Sequence, residues 1–183
     1  YAGLGYGGSC FPKDVDALIS SQQKYKLKSG ILKSTVKVNN DQLEFFMNKI
    51  LARLDANIKK RKLMIWGLSF KPETDDIRES VAIKLIKKLS RKVKNIYVYD
   101  PIASMNAKLE LNNFKNVVFL KDKYKNIQDS DALIICTEWR EFHSPELEEL
   151  YKLKEGIIFD GRNFLSETVV KDPRLEYVGI GIK

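Results

Sequence analysis

The chain has 183 residues, of which 44% are hydrophobic and 31% are charged, and this composition excludes an intrinsically disordered protein. No apolar stretch approaches the roughly 20 residues that a membrane-spanning helix requires, so no membrane partner is expected. The net charge is +8, but the lysines are spread along the whole chain without stacking aromatic side chains between them, so no nucleic-acid partner is expected either.

Two cysteines, Cys10 and Cys136, are too few for a disulfide framework, and their use is typical of a reducing cytoplasm. Cys136 ends an apolar run, residues 133–136, which favours a small side chain in a buried strand. No metal site is predicted. Cys10 has polar neighbours and is therefore the more interesting of the two.

Cys10 lies in a glycine-rich segment, residues 3–14, with the sequence Gly-Leu-Gly-Tyr-Gly-Gly-Ser-Cys-Phe-Pro-Lys-Asp. A cysteine in a polar, partly cationic loop can act as a nucleophile, and a tight surface turn with an incidental cysteine is the alternative. Three of the glycines match the spacing of a dinucleotide-binding motif. We interpret this match as false, because no strand precedes it and a proline interrupts the exit. The glycines are expected to let the backbone approach a ligand closely and to adopt positive φ angles.

Two helices are predicted next, over residues 14–25 and 31–57, with Gly30 between them. The second helix carries one continuous apolar face, formed by Leu43, Phe46, Met47, Ile50, Leu51 and Leu54. Such a face must be covered, either by another part of this chain or by a partner chain. We interpret this helix as a dimerisation segment, with an intramolecular core as the alternative.

From residue 61 onward, strand and helix patterns alternate. Strands are predicted at residues 63–66, 96–99, 117–119, 132–136, 157–159 and 176–180. Helices are predicted at residues 79–89, 103–111, 124–130 and 145–153. The pattern predicts an α/β fold, in which a helical segment over residues 1–60 is followed by a mainly parallel open sheet over residues 61–183, with helices on both faces. In such a sheet a ligand lies beyond the carboxyl ends of the strands.

Three cations stand near those strand ends. Lys71 follows the first strand and is well placed for a phosphate or a sugar oxygen. Arg78 stands at a predicted helix start, where a cation opposes the helix dipole, so a functional role is favoured. Arg162 follows the strand at 157–159 and can bind an anion through its guanidinium fork, with a surface ion pair to Asp160 or Glu167 as the alternative.

Five segments, taken in order along the chain, resemble a known family. They are Gly-x-Gly-Gly-Ser-Cys-Phe-Pro-Lys-Asp at residues 5–14, Trp-Gly-Leu-Ser-Phe-Lys-Pro-Glu-Thr-Asp-Asp-Ile-Arg-Glu-Ser at 66–80, Tyr-Asp-Pro at 99–101, Asp-Ala-Leu-Ile-Ile-Cys-Thr-Glu-Trp at 131–139 and Phe-Asp-Gly-Arg-Asn at 159–163. Together they are highly specific, and they resemble the central and carboxyl-terminal parts of the UDP-glucose/GDP-mannose dehydrogenase family. The resemblance covers essentially the whole chain.

The resemblance implies a protein of three parts: an amino-terminal NAD-binding domain, a long helix that joins two subunits as a homodimer, and a Rossmann-like domain that binds the UDP part of a UDP-sugar. Residues 1–60 would be the cysteine loop and the central dimerisation segment, and residues 61–183 the UDP-sugar-binding domain. The NAD-binding domain is absent from this sequence, so we expect the chain to be a piece of a longer cytoplasmic enzyme and to be inactive alone.

The resemblance also implies a reaction, in which the C6 alcohol of the hexose is oxidised to a carboxylate with two NAD⁺. By this analogy Cys10 bonds covalently to the aldehyde, Asp14 activates the water that hydrolyses the thioester, and Lys13 and Arg78 contact NAD. The residues expected to line the UDP-sugar site are Tyr1, Gly3, Leu4, Gly5, Tyr6, Gly7, Phe70, Lys71 and Arg162. The run Ser-Cys-Phe-Pro favours UDP-glucose. GDP-mannose, a UDP-N-acetylhexosamine, or a nucleotide-binding module without chemistry are the alternatives.

Overall fold

The computed structural model describes residues 3–54 and 57–182, and Tyr1, expected at the substrate site, lies outside this range. The chain begins with two helices, α1 (Phe11–Lys24) and α2 (Gly30–Arg53). A proline in the first turn of α1 explains its early start, because proline is tolerated where the helix needs no backbone donor. Gly30, expected between the helices, is instead the first residue of α2.

Within residues 3–54 and 57–182, six strands form one sheet. They are β1 (Lys62–Trp66), β2 (Asn95–Tyr99), β3 (Val117–Phe119), β4 (Ala132–Ile135), β5 (Ile157–Asp160) and β6 (Glu176–Gly179). Their spatial order is β3-β2-β1-β4-β5-β6, and every neighbouring pair is parallel. The predicted α/β fold with an open parallel sheet is confirmed. The chain order reverses direction between β1 and β4, and in this kind of sheet ligands bind at the carboxyl edge near that point.

The described part of the chain also contains the helices α3 (Val81–Leu89), α4 (Ser104–Glu110), α5 (Leu147–Leu150) and α6 (Glu167–Val170). The predicted helix at 124–130 is wrong, because Asn126 has a left-handed backbone and only a 3₁₀ turn, Ile127–Asp129, follows it. The predicted helix at 145–153 is reduced to the single turn of α5. The pattern did not predict α6, because four residues are too short to show helical periodicity.

Apolar side chains cover both faces of the sheet. Alternate strand residues point to opposite sides, so Ile65 belongs to the core beneath α2, α3 and α4, and Trp66 belongs to the core beneath α5 and α6. Helices on both faces are therefore confirmed. Within the described residues, no helix combines the length and the hydropathy needed to cross a membrane.

The apolar face of α2 packs on the sheet of the same chain. Phe46 and Ile50 are fully buried, and the ring of Phe46 meets that of Phe159 edge-on at a centroid distance of 6.5 Å. Arg53 forms a bidentate ion pair with Glu176 of β6. The chain itself therefore covers this face, as the alternative of an intramolecular core predicted, and dimerisation through the helix stays a prediction.

Candidate active site

The glycine loop, defined here as residues 3–9, lies between α2 and the carboxyl ends of β1 and β5. Leu4 is 1% exposed and fills the space above Gly161, where an added methyl group would lie 2.6 Å from Leu4 Cγ. At the other end of the loop, the Gly8 N–H donates to the Arg78 carbonyl at 3.1 Å. The loop is thus tied to segments that follow two different strands. Leu4 was expected to line the substrate site, but its side chain belongs to the core.

The glycines of the loop permit a close approach, as expected, although the neighbours are protein groups. A methyl group on Gly7 would lie 2.3 Å from the Glu79 carbonyl oxygen, and one on Gly8 would lie 2.7 Å from the Phe70 ring. Gly8 also has a φ of +85°, which residues with a side chain rarely adopt. The loop therefore presses directly on the segments that follow β1.

Cys10 is exposed and occupies the N-cap position of α1. The Asp14 N–H donates to the Cys10 carbonyl at 2.9 Å, so the two residues lie one helical turn apart on the same side, as the spacing predicted. Lys13 and Asp14 are both exposed. A thiol, a cation and a carboxylate therefore share one exposed helix end. Such an arrangement can support nucleophilic chemistry.

Arg78 lies near the thiol but before the helix rather than in it, because α3 begins at Val81. Its guanidinium donates to both oxygens of Asp76, with Nη2 to Oδ2 at 2.7 Å. The pKa of Arg78 is raised above its usual value, chiefly by these hydrogen bonds and, as a smaller contribution, by the charge of nearby Cys10. The same hydrogen bonds lower the pKa of Asp76. The ion pair of Arg78 and Asp76 therefore lies in the neighbourhood of the candidate nucleophile.

The turn after β1 is held by the buried carboxylate of Asp100. One oxygen accepts the backbone N–H of Leu68 at 2.7 Å, the N–H of Ser69 at 3.2 Å and the indole N–H of Trp139 at 3.1 Å. The other oxygen accepts from the turn that starts α4, including Ala103 N–H at 2.7 Å. This network fixes the backbone immediately before the two predicted substrate residues at 70 and 71.

Phe70 and Lys71 extend from this turn toward the glycine loop. Phe70 is partly buried, with its ring next to Gly8. Lys71 is exposed, and its Nζ lies 5.6 Å from the centroid of the Phe70 ring. The structure thus brings Phe70 to the loop that leads to Cys10 and leaves Lys71 exposed at the surface, where its ammonium group can meet an anion.

Arg162 follows β5 and pairs with Glu138, which follows β4. Arg162 Nη2 donates to Glu138 Oε1 at 2.7 Å, and Nε lies 2.6 Å from Oε2. The expected alternative partners were Asp160 and Glu167. Asp160 instead accepts the backbone N–H of Arg162, at 2.9 Å, and shapes the turn. Since β4 separates β1 from β5, the segments carrying Lys71 and Arg162 begin about 10 Å apart.

A cavity of about 630 Å³ opens beside Arg162, with His143 and Phe164 in its lining. Beneath this edge lies Cys136, whose pKa burial raises to about 12. The expected buried position of Cys136 is confirmed. At physiological pH this thiol stays protonated and inert.

The predicted site residues therefore fall into groups. Gly3 lies against Arg162, and a methyl group added to this glycine would be 2.9 Å from Arg162 Nη1. Gly8 is the point at which the glycine loop contacts Phe70 and Arg78. Gly5 and Tyr6 instead line a separate cavity of about 780 Å³ on the outer side of α2. At these two residues the loop backbone lies against Asn39 of α2.

Sequence reasoning missed three residues that shape the site: Asn39, Asp100 and Glu138. Asp100 had a usable signal, since an Asp-Pro pair directly follows a strand. Glu138 followed the neighbouring strand at the same edge, so the parallel topology could have paired it with Arg162. Asn39 had no signal of its own on the polar side of a helix.

Two regions of the chain match one family of known proteins. Residues 64–167 match the UDP binding domain of the UDP-glucose/GDP-mannose dehydrogenase family, and residues 1–41 match its central domain. The UDP-glucose 6-dehydrogenase of Rickettsia typhi is 39% identical over all 183 residues, which span 42% of that relative. The enzyme of the same name from Rhizobium meliloti is 34% identical over 99% of this chain and 41% of its own length.

A solved structure of a UDP-glucose dehydrogenase from Pyrobaculum islandicum superposes on the whole chain with a TM-score of 0.85 and 30% identity, covering 39% of that protein. The chain therefore spans about two fifths of the length of the relatives it matches. The matched UDP binding domain alone covers more than half of this sequence. The resemblance stated from the sequence motifs is confirmed: the chain belongs to the UDP-glucose/GDP-mannose dehydrogenase family.

Proposed function

We propose that this chain is the central and UDP-binding part of an NAD-dependent UDP-glucose 6-dehydrogenase, which oxidises UDP-glucose to UDP-glucuronate. The observation that carries the proposal is the exposed Cys10 at the start of α1, on a loop fixed to the carboxyl edge of a parallel sheet. A nucleophile in this place can reach a sugar whose diphosphate lies along that edge. Relatives named UDP-glucose 6-dehydrogenase align over the whole chain and support the choice of substrate.

The proposed chemistry uses the thiolate of Cys10 as a covalent nucleophile. Oxidation of the C6 alcohol removes a hydride and a proton and leaves an aldehyde. The Cys10 sulfur then bonds to the carbonyl carbon, and the resulting thiohemiacetal loses a second hydride to become a thioester. Water attacks the thioester, the carbon–sulfur bond breaks, and the carboxylate and the free thiol are released. Asp14, one turn from Cys10, accepts the proton of the attacking water.

In this proposal the diphosphate of the substrate binds at the edge formed by Lys71 and Arg162. The exposed ammonium of Lys71 and the forked guanidinium of Arg162 are both suited to phosphate oxygens. Arg162 is already oriented by Glu138, and Gly3 leaves room for its side chain. Phe70 and the backbone of residues 3–7 would complete the site beside the sugar.

NAD⁺ would supply the hydride acceptor in both oxidation steps, and the first turn of this sheet does not fit it. In a dinucleotide-binding fold the turn after the first strand approaches the pyrophosphate, and an aspartate or glutamate further along the chain binds the ribose. Here Gly67 is packed against Thr137, and a methyl group added to the glycine would lie 2.6 Å from the Thr137 Cβ. Asp100 is buried, and its carboxylate oxygens already accept hydrogen bonds from the protein. Lys13 and Arg78 are exposed beside Cys10 and fit a cofactor held by another domain.

The remaining proposals concern organisation. We retain the division into residues 1–60, the cysteine loop and central helical segment, and residues 61–183, the UDP-sugar-binding domain. We also propose a cytoplasmic homodimer through the central helix, now through its outer face. Ile31, Val38 and Phe45 recur there at seven-residue spacing, and between 51% and 83% of each side chain is exposed.

Calorimetric titration of this chain with UDP, UDP-glucose, GDP and GDP-mannose tests the binding proposal. We expect UDP and UDP-glucose to bind and the guanosine ligands to bind at least about ten-fold more weakly. Tighter binding of GDP-mannose would move the assignment to another nucleotide sugar. For the reaction, the chain joined to its NAD-binding domain should form two NADH per UDP-glucose, and Cys10→Ala should abolish UDP-glucuronate. Acid formation by that variant would exclude Cys10 as the nucleophile.

A further inference from the structure

The side chain of Asn39, on α2, binds both backbone groups of Tyr6 in the glycine loop. The Tyr6 N–H donates to Asn39 Oδ1 at 2.7 Å, and Asn39 Nδ2 donates to the Tyr6 carbonyl at 3.2 Å. The two residues are 33 positions apart in the sequence. An amide side chain is the group that can serve both partners at once, because it carries an acceptor and a donor side by side.

Gln42, one turn further along α2, makes a third contact of the same kind. Its Nε2 donates to the Gly3 carbonyl at 2.9 Å. Between these two contacts lies Gly5, with a φ of +114°, where an added methyl group would be 2.6 Å from Asn39 Oδ1. The loop backbone therefore runs along α2 at the closest distance that glycine allows, and helix amides take the place of a neighbouring strand.

Helix α2 is itself anchored independently of these amides. Phe46 and Ile50 are fully buried against the sheet, and Arg53 is paired with Glu176. Loss of the Asn39 amide should therefore leave the helix and the sheet in place and release only the loop. Beyond Tyr6, the loop continues through Gly8, which is bound to Arg78, to the exposed Cys10.

We propose that Asn39 is a positioning residue that holds the glycine loop, and through it Cys10, against the nucleotide-binding edge of the sheet. This inference rests on the proposed function, since it assigns the loop a role in binding the substrate. The central helix α2, and not the sheet alone, then sets the orientation of the nucleophile.

The test compares Asn39→Ala with Asn40→Ala, which removes the neighbouring, exposed amide of the same helix. Two quantities are measured on this chain: hydrogen exchange of the amides in residues 4–10, and the Kd for UDP. In Asn39→Ala we expect exchange at Tyr6 to accelerate and the Kd for UDP to rise about five- to ten-fold, the effect of one or two lost hydrogen bonds. The melting temperature should stay close to that of the parent, and Asn40→Ala should change neither quantity.

Asn39→Asp provides a pH-dependent signature that a general loss of stability would not give. A carboxylate still accepts from the Tyr6 N–H but repels the Tyr6 carbonyl, whereas a protonated carboxyl group both accepts and donates. The charged side chains lining the cavity beside Asn39 are Glu44 of α2 and Lys84 and Lys88 of α3. We expect the ratio of the UDP Kd of Asn39→Asp to that of the parent to be large at pH 8 and to fall as the pH is lowered toward about 4, the ordinary pKa of an aspartate.

The possible outcomes separate the two proposals. Unchanged exchange in the loop of Asn39→Ala would overturn the inference, and so would faster exchange with an unchanged Kd for UDP. A parent chain that does not bind UDP would contradict the proposed function. Loop exchange would then decide alone whether Asn39 holds the loop.

Discussion

The carboxylate of Asp100 accepts the indole N–H of Trp139 at 3.1 Å, and this bond joins the segments after β2 and β4 across the end of β1. The same carboxylate holds the turn that leads to Phe70 and Lys71. Both oxygens are used: one accepts from the β1 turn and Trp139, and the other from the turn at the start of α4. The carboxylate thus organises three loops at the candidate site.

We expect Asp100→Asn to lower the free energy of unfolding by about 2–3 kcal/mol, because one set of backbone donors would then face an NH₂ group. Urea unfolding followed by circular dichroism measures this change. Asp122→Asn is the matched control, since that exposed carboxylate accepts the Tyr124 N–H at a surface turn, and its effect should stay within about 0.5 kcal/mol. Equal effects of the two substitutions would contradict the role given to Asp100.

The packing of α2 on the sheet gives a prediction with a neighbouring control. Phe46 is fully buried and Phe45 is 51% exposed on the opposite side of the helix. Phe46→Ala should reduce the free energy of unfolding by about 3–5 kcal/mol, through lost burial and the cavity that remains. Phe45→Ala should change it by less than about 0.5 kcal/mol in the monomer. Urea unfolding at low protein concentration measures both, and similar losses would mean that the face is not covered as described.

The two thiols should differ in reactivity and in their effect on alkaline stability. At pH 8 a maleimide should label Cys10 alone, and Cys136 should react only after denaturation. Burial raises the pKa of Cys136 to about 12, above the value of about 8.5 in an unfolded chain. Since the unfolded thiol ionises first, the stability due to the neutral buried form is complete below about pH 8.5 and is lost as the pH rises toward 12. The unfolding midpoint should therefore fall less steeply in Cys136→Ala between pH 9 and 11. Two rapidly labelled thiols in the folded chain would contradict this assignment.

Arg162 should be needed for the bidentate hydrogen bonds that its guanidinium group can form, and not for its positive charge alone. In Arg162→Lys we expect the Kd for UDP to rise about ten-fold, because an ammonium group cannot form the paired hydrogen bonds of a guanidinium. The control is Arg174→Lys. This exposed arginine lies just before β6, at the amino-terminal edge of the sheet, whereas the candidate site is at the carboxyl edge. Calorimetry measures both constants. An unchanged affinity in Arg162→Lys would remove this residue from the substrate site.

The proposed dimer predicts a clear effect of charge on the outer face of α2. Val38→Asp should convert a dimer to a monomer in sedimentation velocity, because a carboxylate would be buried at the contact. Lys33→Asp alters an exposed residue of the same helix and should leave the dimer intact. A parent chain that sediments as a monomer would contradict dimerisation through this face.

The sheet and its order of elements could be predicted because each depends on local patterns. Residues 63–66 form a short apolar run, and the helical stripe over 82–89 is periodic, so both appear in the structure close to the predicted bounds. Short turns were harder to predict. Asn126 ends the expected helix through a single left-handed residue, which a periodicity argument does not detect.

Contacts between distant segments were the least predictable part of the site. The apolar stripe around Phe46 correctly indicated a buried helix face, but its partner could be identified only once β5 had a position. The bond between Asn39 and Tyr6 joins the polar side of a helix to a loop backbone, and neither sequence contains a sign of the other. The candidate nucleophile was accessible to sequence reasoning because its glycines and its cysteine form one continuous segment.

The packing of the Leu4 side chain against Gly161 has a consequence for how the first residues of the chain dock on the sheet. A single methyl group at position 161 would collide with the isobutyl side chain and push the first residues off the sheet, while the strands themselves would keep their pairing. The docking of the segment that carries the thiol therefore depends on the absence of a side chain at position 161.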